Sequence, residues 1–205
     1  MNKKFICVEG NIGAGKTTLA KMLAEYYNGK LLLENFEDNP YLKDFYKDSK
    51  KFALQVELSF LADRYQQQQD ILSDDGVIVS DYLFDKSLIF ARINLQSDEF
   101  AVFKAAFSES KKQIKQPDLI IFLDANEELL QKNIKKRGRN FEENILSAYL
   151  QKVTNSYHSF LKSQIHACPV IWVNVNEYDL VSNEGHFRSL LNTIEAKKEN
   201  FIHYL

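Results

Sequence analysis

The chain has 205 residues, 45% of them apolar and 26% charged, which suits one α/β domain with a buried core and not a disordered or fibrous chain. Twenty-six basic side chains against 28 acidic ones leave a net charge of −2, without the basic excess of a duplex-binding domain, so no nucleic-acid partner is expected. Cys7 and Cys168 form no CxxC pair, no run reaches the length of a membrane span, and the Phe5–Val8 run is too short for a signal-peptide core; a soluble, cytoplasmic, single domain over residues 1–205 is expected.

Five short, nearly continuous apolar runs predict strands buried on both faces: Phe5–Val8, Leu31–Leu33, Val77–Val79, Leu119–Leu123 and Val170–Val173. The first runs into Gly10-Asn11-Ile12-Gly13-Ala14-Gly15-Lys16-Thr17, which satisfies G-x-x-x-x-G-K-[ST]. Glycines there let the backbone turn tightly and aim its N–H groups at phosphate oxygens. Lys16 adds a point charge, the Thr17 hydroxyl can ligate Mg²⁺, and Thr18 lies in the helix N-terminus that points its positive end at the same anion. Leu19, Met22, Leu23 and Tyr26 recur at helical spacing, and Gly29 stands where a C-cap belongs. A long helix is expected over Phe52–Leu72, with the tract Gln66–Gln69 as its solvated end. Leu190, Leu191 and Ile194 suggest a last helix, followed by a mixed tail, Phe201–Leu205. His158, His166, His186 and His203 show no metal-ligand spacing. Strands alternating with helices predict a three-layer α/β/α fold of the P-loop NTPase type around a five-stranded parallel sheet, with ligands at the carboxyl ends of the strands.

Beyond the P-loop, further residues carry a resemblance. Glu34 follows the second strand, with Glu37-Asp38-Asn39-Pro40 and Phe45-Tyr46 after it; Phe60-Leu61-Ala62-Asp63-Arg64 lies in the long helix. Arg137-Gly138-Arg139 with Glu142 looks like an arginine-containing lid, and Val175-Asn176-Glu177 follows the last strand. From Phe5 to about Asp179 the chain resembles the deoxynucleoside kinases, relatives of deoxyadenosine, deoxyguanosine and deoxycytidine kinases. The resemblance implies ATP as donor, held by Gly10 to Thr18 with Asn176 and Glu177 beside the adenine, and a nucleoside as the small-molecule acceptor. It implies Glu34 as general base toward the 5′-hydroxyl, and Tyr46 and Glu142 on the sugar 3′-hydroxyl. Arg64, Glu57 and Phe90 would line the nucleoside pocket, while Lys16, Arg137 and Arg139 would surround the transferring phosphate. Thr17 and Asp81 would hold Mg²⁺. A homodimer joined through helices is the assembly the family implies.

Three positions depart from that pattern. Asp81 is followed by Tyr82 where the family carries arginine, and Asn133 stands where another arginine is usual, leaving Lys132 or Lys86 as possible substitutes. Glu57 replaces the base-reading glutamine; Gln55 belongs to another helical face. An ionised glutamate only accepts, so Glu57 either reads two adjacent donors, as guanine or a pterin presents, or pairs with a cation such as Arg64. Two other readings accompany the kinase: a nucleotide-binding regulatory domain with weakened catalysis, motivated by these departures, and a thymidylate-kinase-like enzyme acting on a nucleoside monophosphate. The carboxylate at Glu34 argues against an anionic acceptor.

Overall fold

The computed structural model describes residues 4–36, 38–71, 75–139, 142, 145–163, 168–196 and 202–205. Glu37, Leu72, His166 and Phe201, named above, lie outside the described residues. The elements in chain order are β1 (Lys4–Gly10), α1 (Lys16–Tyr26), β2 (Lys30–Leu32), α2 (Leu42–Lys47), α3 (Ser49–Asp70), β3 (Val77–Ser80), α4 (Lys86–Asn94), α5 (Ser97–Lys111), β4 (Leu119–Asp124), α6 (Glu127–Arg137), α7 (Ser147–Lys162), β5 (Val170–Asn174), α8 (Glu184–Glu195) and β6 (Ile202–Tyr204).

The sheet runs β2-β3-β1-β4-β5-β6 with every neighbouring pair parallel. The sequence predicts five strands; among the described residues there are six, the last being part of what reads as a tail. Ile202, His203 and Tyr204 pair with Val170, Ile171 and Trp172. Such a strand escapes sequence patterning because an edge position has one neighbour and one less-buried side, which removes the continuous apolar run.

Alternation along the central strands builds two cores. Ile6 and Val8 face Leu19, Leu23, Leu190 and Ile194 from α1 and α8, while Phe5 and Cys7 face Tyr82, Ile89, Tyr157 and Leu161 on the other side. The buried stripe of α1 is Leu19, Ala20, Leu23 and Ala24, so the predicted Met22 and Tyr26 lie off it and Tyr26 is exposed. Small alanines let this helix sit close to the sheet and turn the bulkier side chains to its flanks. The left-handed residue after α1 is Asn28 (φ 47°), not the predicted Gly29. Gly29 is needed for a different reason: a Cβ there would lie 2.7 Å from the Val77 carbonyl oxygen.

α3 starts before Phe52, because the Asp48 side chain accepts from the Lys51 N–H at 3.2 Å and caps it. Its glutamine tract is not a solvated end. Gln68 is 1% exposed, and Gln67 Nε2 donates to the Leu33 carbonyl at 3.0 Å, tying α3 to the residue before Glu34.

Candidate active site

A cleft of about 1200 Å³ opens at the carboxyl ends of β1, β2 and β3 and is walled by the P-loop, α3, α4, the residues after α6 and the turn after β5. Its phosphate end is built mainly from backbone. Gly13 (φ 86°) and Gly15 (φ 96°) occupy left-handed conformations, and a Cβ on Gly13 would lie 2.8 Å from the Leu130 carbonyl oxygen. Two asparagines brace the loop from opposite sides. Asn11 Nδ2 donates to the Leu150 carbonyl and Thr154 Oγ1, both at 2.8 Å, and Asn133 Nδ2 donates to the Gly13 carbonyl at 2.8 Å. Asn11 is therefore an anchor buried behind the loop; Ile12 to Thr18 line the cleft, and Gly10 and Asn11 do not. At Asn133, where the family carries a cation, this chain has a brace for the loop's own backbone.

Lys16 Nζ donates to the carbonyls of Gly10 (3.0 Å) and Asn11 (2.9 Å). Burial, reinforced by the neighbouring Lys86, pushes its pKa down to about 8. Behind the loop stands a carboxylate that motif reading passes over. Glu9 is fully buried, accepts from the Gly10 N–H (2.9 Å), the Leu83 N–H (2.8 Å) and the Tyr157 hydroxyl (3.0 Å), and has its pKa raised by burial against the pull of Lys86 and Lys16. It joins the start of the P-loop to the turn that carries Asp81 and Lys86. Its one sequence signal is an acid within an apolar strand.

Thr17 Oγ1 donates to Asp81 Oδ2 at 2.6 Å, and Asp81 Oδ1 accepts from the Glu34 N–H at 2.8 Å. Among the described residues Asp81 is a buried carboxylate without a salt-bridge partner, and with Thr17 it offers the hard oxygen donors that suit Mg²⁺. Glu34 lies two residues beyond the end of β2. Arg64 donates to its Oε1 through Nε (2.9 Å) and Nη2 (2.5 Å), and Lys86 Nζ to its Oε2 at 2.6 Å. Burial works to raise the Glu34 pKa, but Lys86 and Arg64 outweigh it and hold the carboxyl well below the usual range. Arg64 is fixed further by Nη1 donating to Ser87 Oγ at 2.6 Å. Tyr82, in place of an arginine, turns its ring into the core instead of the cleft. Lys86 is thus, with Arg64, one of two cations on Glu34; Lys132 lines the cleft from α6.

Near Tyr46 the lid arginines converge on one acid. Arg137 and Arg139 both pair with Glu142, the latter at 3.3 Å, and the Arg139 guanidinium lies 3.5 Å over the Phe36 ring. Burial, followed by the nearby Glu142 charge, raises the Tyr46 hydroxyl pKa above its ordinary value. At the far end, Glu57 is 3% exposed and receives Asn94 Nδ2 at 2.7 Å, with Tyr149 and Phe90 beside them on the wall. Glu57 does not pair with Arg64, whose hydrogen bonds go to Glu34 and Ser87. Burial pushes the Glu57 pKa up to about 7, against the hydrogen bond from Asn94. Gln55 is exposed on another side of α3. Of the expected adenine-side pair, Asn176 lines the cleft and accepts from the Asn126 N–H at 3.1 Å, while Glu177 is exposed and does not line it. Among the described residues, no cluster of metal-ligating side chains involves the histidines.

A family model described as deoxynucleoside kinase matches residues 6–199. The chain belongs to the deoxynucleoside kinase family. Deoxyguanosine kinase of Bacillus subtilis (strain 168) is 35% identical over 193 residues, 91% of this chain and 93% of that protein. Deoxyadenosine kinase of Dictyostelium discoideum is 37% identical over 179 residues, 84% of this chain and 73% of that protein. The solved structure of deoxyadenosine kinase from M. mycoides with bound dCTP matches with a TM-score of 0.81 at 22% identity, over 94% of this chain and 100% of that one, which shows the common fold. This family member is therefore a kinase, and neither the regulatory-domain nor the monophosphate-kinase reading is favoured.

Proposed function

We propose that the chain transfers the γ-phosphoryl group of ATP to the 5′-hydroxyl of a deoxynucleoside, favouring a base with a guanine-like edge. The observation that carries this reading is the Glu34 carboxylate, held at the cleft by Arg64 and Lys86 and bonded through its backbone N–H to Asp81. In the step, the 5′-oxygen bonds to the γ-phosphorus as the bond to the β,γ-bridging oxygen breaks; the hydroxyl proton goes to Glu34 and ADP leaves. Lys16 and the P-loop N–H groups from Ile12 to Thr18 cradle the donor phosphates. Thr17 and Asp81 would hold Mg²⁺, which supplies charge neutralisation along the phosphates when bound.

Arg137 and Arg139 close over the transferring group, drawing on guanidinium forks that Glu142 holds in the resting cleft. Tyr46 and Glu142 take the sugar, Phe90 packs on the nucleoside, and Asn176 lies toward the donor adenine. The protein acts as a single cytoplasmic domain, assembled as a homodimer; light scattering of purified protein at two concentrations checks the assembly. The test of the chemistry is ADP release with a panel of deoxynucleosides, with Glu34→Gln in parallel. Acceptor-dependent turnover that the variant loses while still binding ATP is the expected result, and turnover indifferent to Glu34 sinks the mechanism.

A further inference from the structure

The base end of the cleft presents three polar atoms in a chemically meaningful order. Asn94 is the last residue of α4, and its Nδ2 lies 2.7 Å from Glu57 Oε1. Oε2 is the second oxygen of the same carboxylate, so with Glu57 ionised the pair offers a donor and two acceptors. The amide orientation follows from this hydrogen bond: Nδ2 donates to Oε1, so the amide oxygen is turned away from it. Both residues line the cavity, and among the described residues Asn94 is the one hydrogen-bond partner of the Glu57 carboxylate. The cations nearest in effect, Arg64 and Lys86, are engaged with Glu34, so Glu57 keeps its accepting capacity for a ligand. Asn94 carries a second amide hydrogen, and the Tyr149 hydroxyl adjoins its side chain.

We infer that Asn94 and Glu57 together read the acceptor–donor–donor edge of a guanine-type base. Asn94 Nδ2 donates to the ring carbonyl oxygen, Glu57 Oε1 accepts from the ring N–H, and Glu57 Oε2 accepts from the exocyclic amino group. Asn94 becomes a specificity-determining residue in its own right; the inference rests on the kinase reading above. Adenine presents a donor and then an acceptor at the first two places. It sets N–H against N–H and a ring lone pair against a carboxylate, two opposed contacts in a pocket where unpaired polar groups are costly. Glu57 alone rejects adenine at one point; the row rejects it at two.

The experiment is steady-state kinetics of the full chain with ATP, Mg²⁺ and four acceptors: deoxyguanosine, deoxyinosine (no 2-amino group), 2-aminopurine deoxyriboside (no ring carbonyl) and deoxyadenosine. Asn94→Ala is expected to lower kcat/KM for deoxyguanosine and deoxyinosine by about 10- to 100-fold, with 2-aminopurine deoxyriboside changed by less than about twofold. Glu57→Gln is expected to cost deoxyguanosine more than deoxyinosine and to raise deoxyadenosine. Thermal melting runs in parallel, and Asn94→Ser, with the same expected ranking, serves if the alanine variant folds poorly. Equal losses on all four acceptors, or none on the two carbonyl-bearing bases, overturn the role of Asn94. Wild-type preference for deoxyadenosine overturns the edge reading but leaves the kinase intact. ATP binding without turnover on any acceptor overturns both.

Discussion

The two ends of the cleft are built by different means. The P-loop end, proposed for the donor phosphates, is almost one continuous segment, Ile12 to Thr18, held by loop geometry and by braces from Asn11 and Asn133. The base end is assembled from side chains far apart in sequence: Glu57 on α3, Asn94 on α4 and Tyr149 on α7. A backbone cradle is indifferent to the acceptor that sits beside it, whereas a side-chain row discriminates among acceptors. Changes at the first end should therefore slow every nucleoside alike, and changes at the second should re-rank them.

The largest effect is expected from Lys16→Met, which removes the point charge proposed to meet the donor phosphates. Turnover should fall about 10³-fold for all acceptors, visible in single-turnover assays, while nucleoside binding by calorimetry persists. A residual rate that depended strongly on the nucleoside would break the comparison. Lys86→Met should come next, at about 10- to 100-fold in kcat, because it strips one of the two cations from Glu34. Glu34 is ionised throughout the working range while both cations hold its pKa down. With Lys86 removed the pKa rises, so the acidic limb of the kcat/KM profile should move toward neutrality, which pH-rate measurements read directly. Asn133→Ala, which frees the Gly13 carbonyl, should raise KM for ATP by up to about tenfold with a smaller change in kcat, equally for every acceptor.

At the end proposed for the base the effect is on stability as well as on rate. Burial pushes the Glu57 carboxyl up to about 7, above the ordinary glutamate value of 4.5. Between those values the folded protein holds a proton that the unfolded chain has released, so stability falls as pH rises through that window. Glu57→Gln removes this dependence. Relative to the variant, wild type should lose on the order of 1–3 kcal/mol between about pH 5 and pH 8, a Tm difference of a few degrees by calorimetry. Identical pH slopes for the two proteins would show that Glu57 is not a buried titrating group.

The P-loop, the first five strands and the acids Glu34 and Asp81 after β2 and β3 were legible because each is local: spacing along the chain is spacing in space. Glu34, Arg64 and Asp81 could be singled out, and the resemblance set Arg64 beside Glu34, but the salt bridge from Lys86 to the same carboxylate could not be read, since it joins a loop to a helix beyond α3 and the whole of β3. The departure at Tyr82 suggested a missing cation; the fold turns that tyrosine into the core and brings Lys86 to Glu34. The glutamine tract and β6 were misread for a related reason, because polarity along a chain does not reveal which neighbour supplies the burial or the pairing.

The sequence by itself determined the layered architecture and the phosphate cradle, through apolar periodicity and a motif whose glycines admit only a few backbone paths. It also supplied the carboxylate at Glu57. Only the tertiary structure decided what that carboxylate meets. Hydrogen bonds between side chains depend on distances set by helix packing, and packing is what placed Asn94 beside it and committed Arg64 elsewhere.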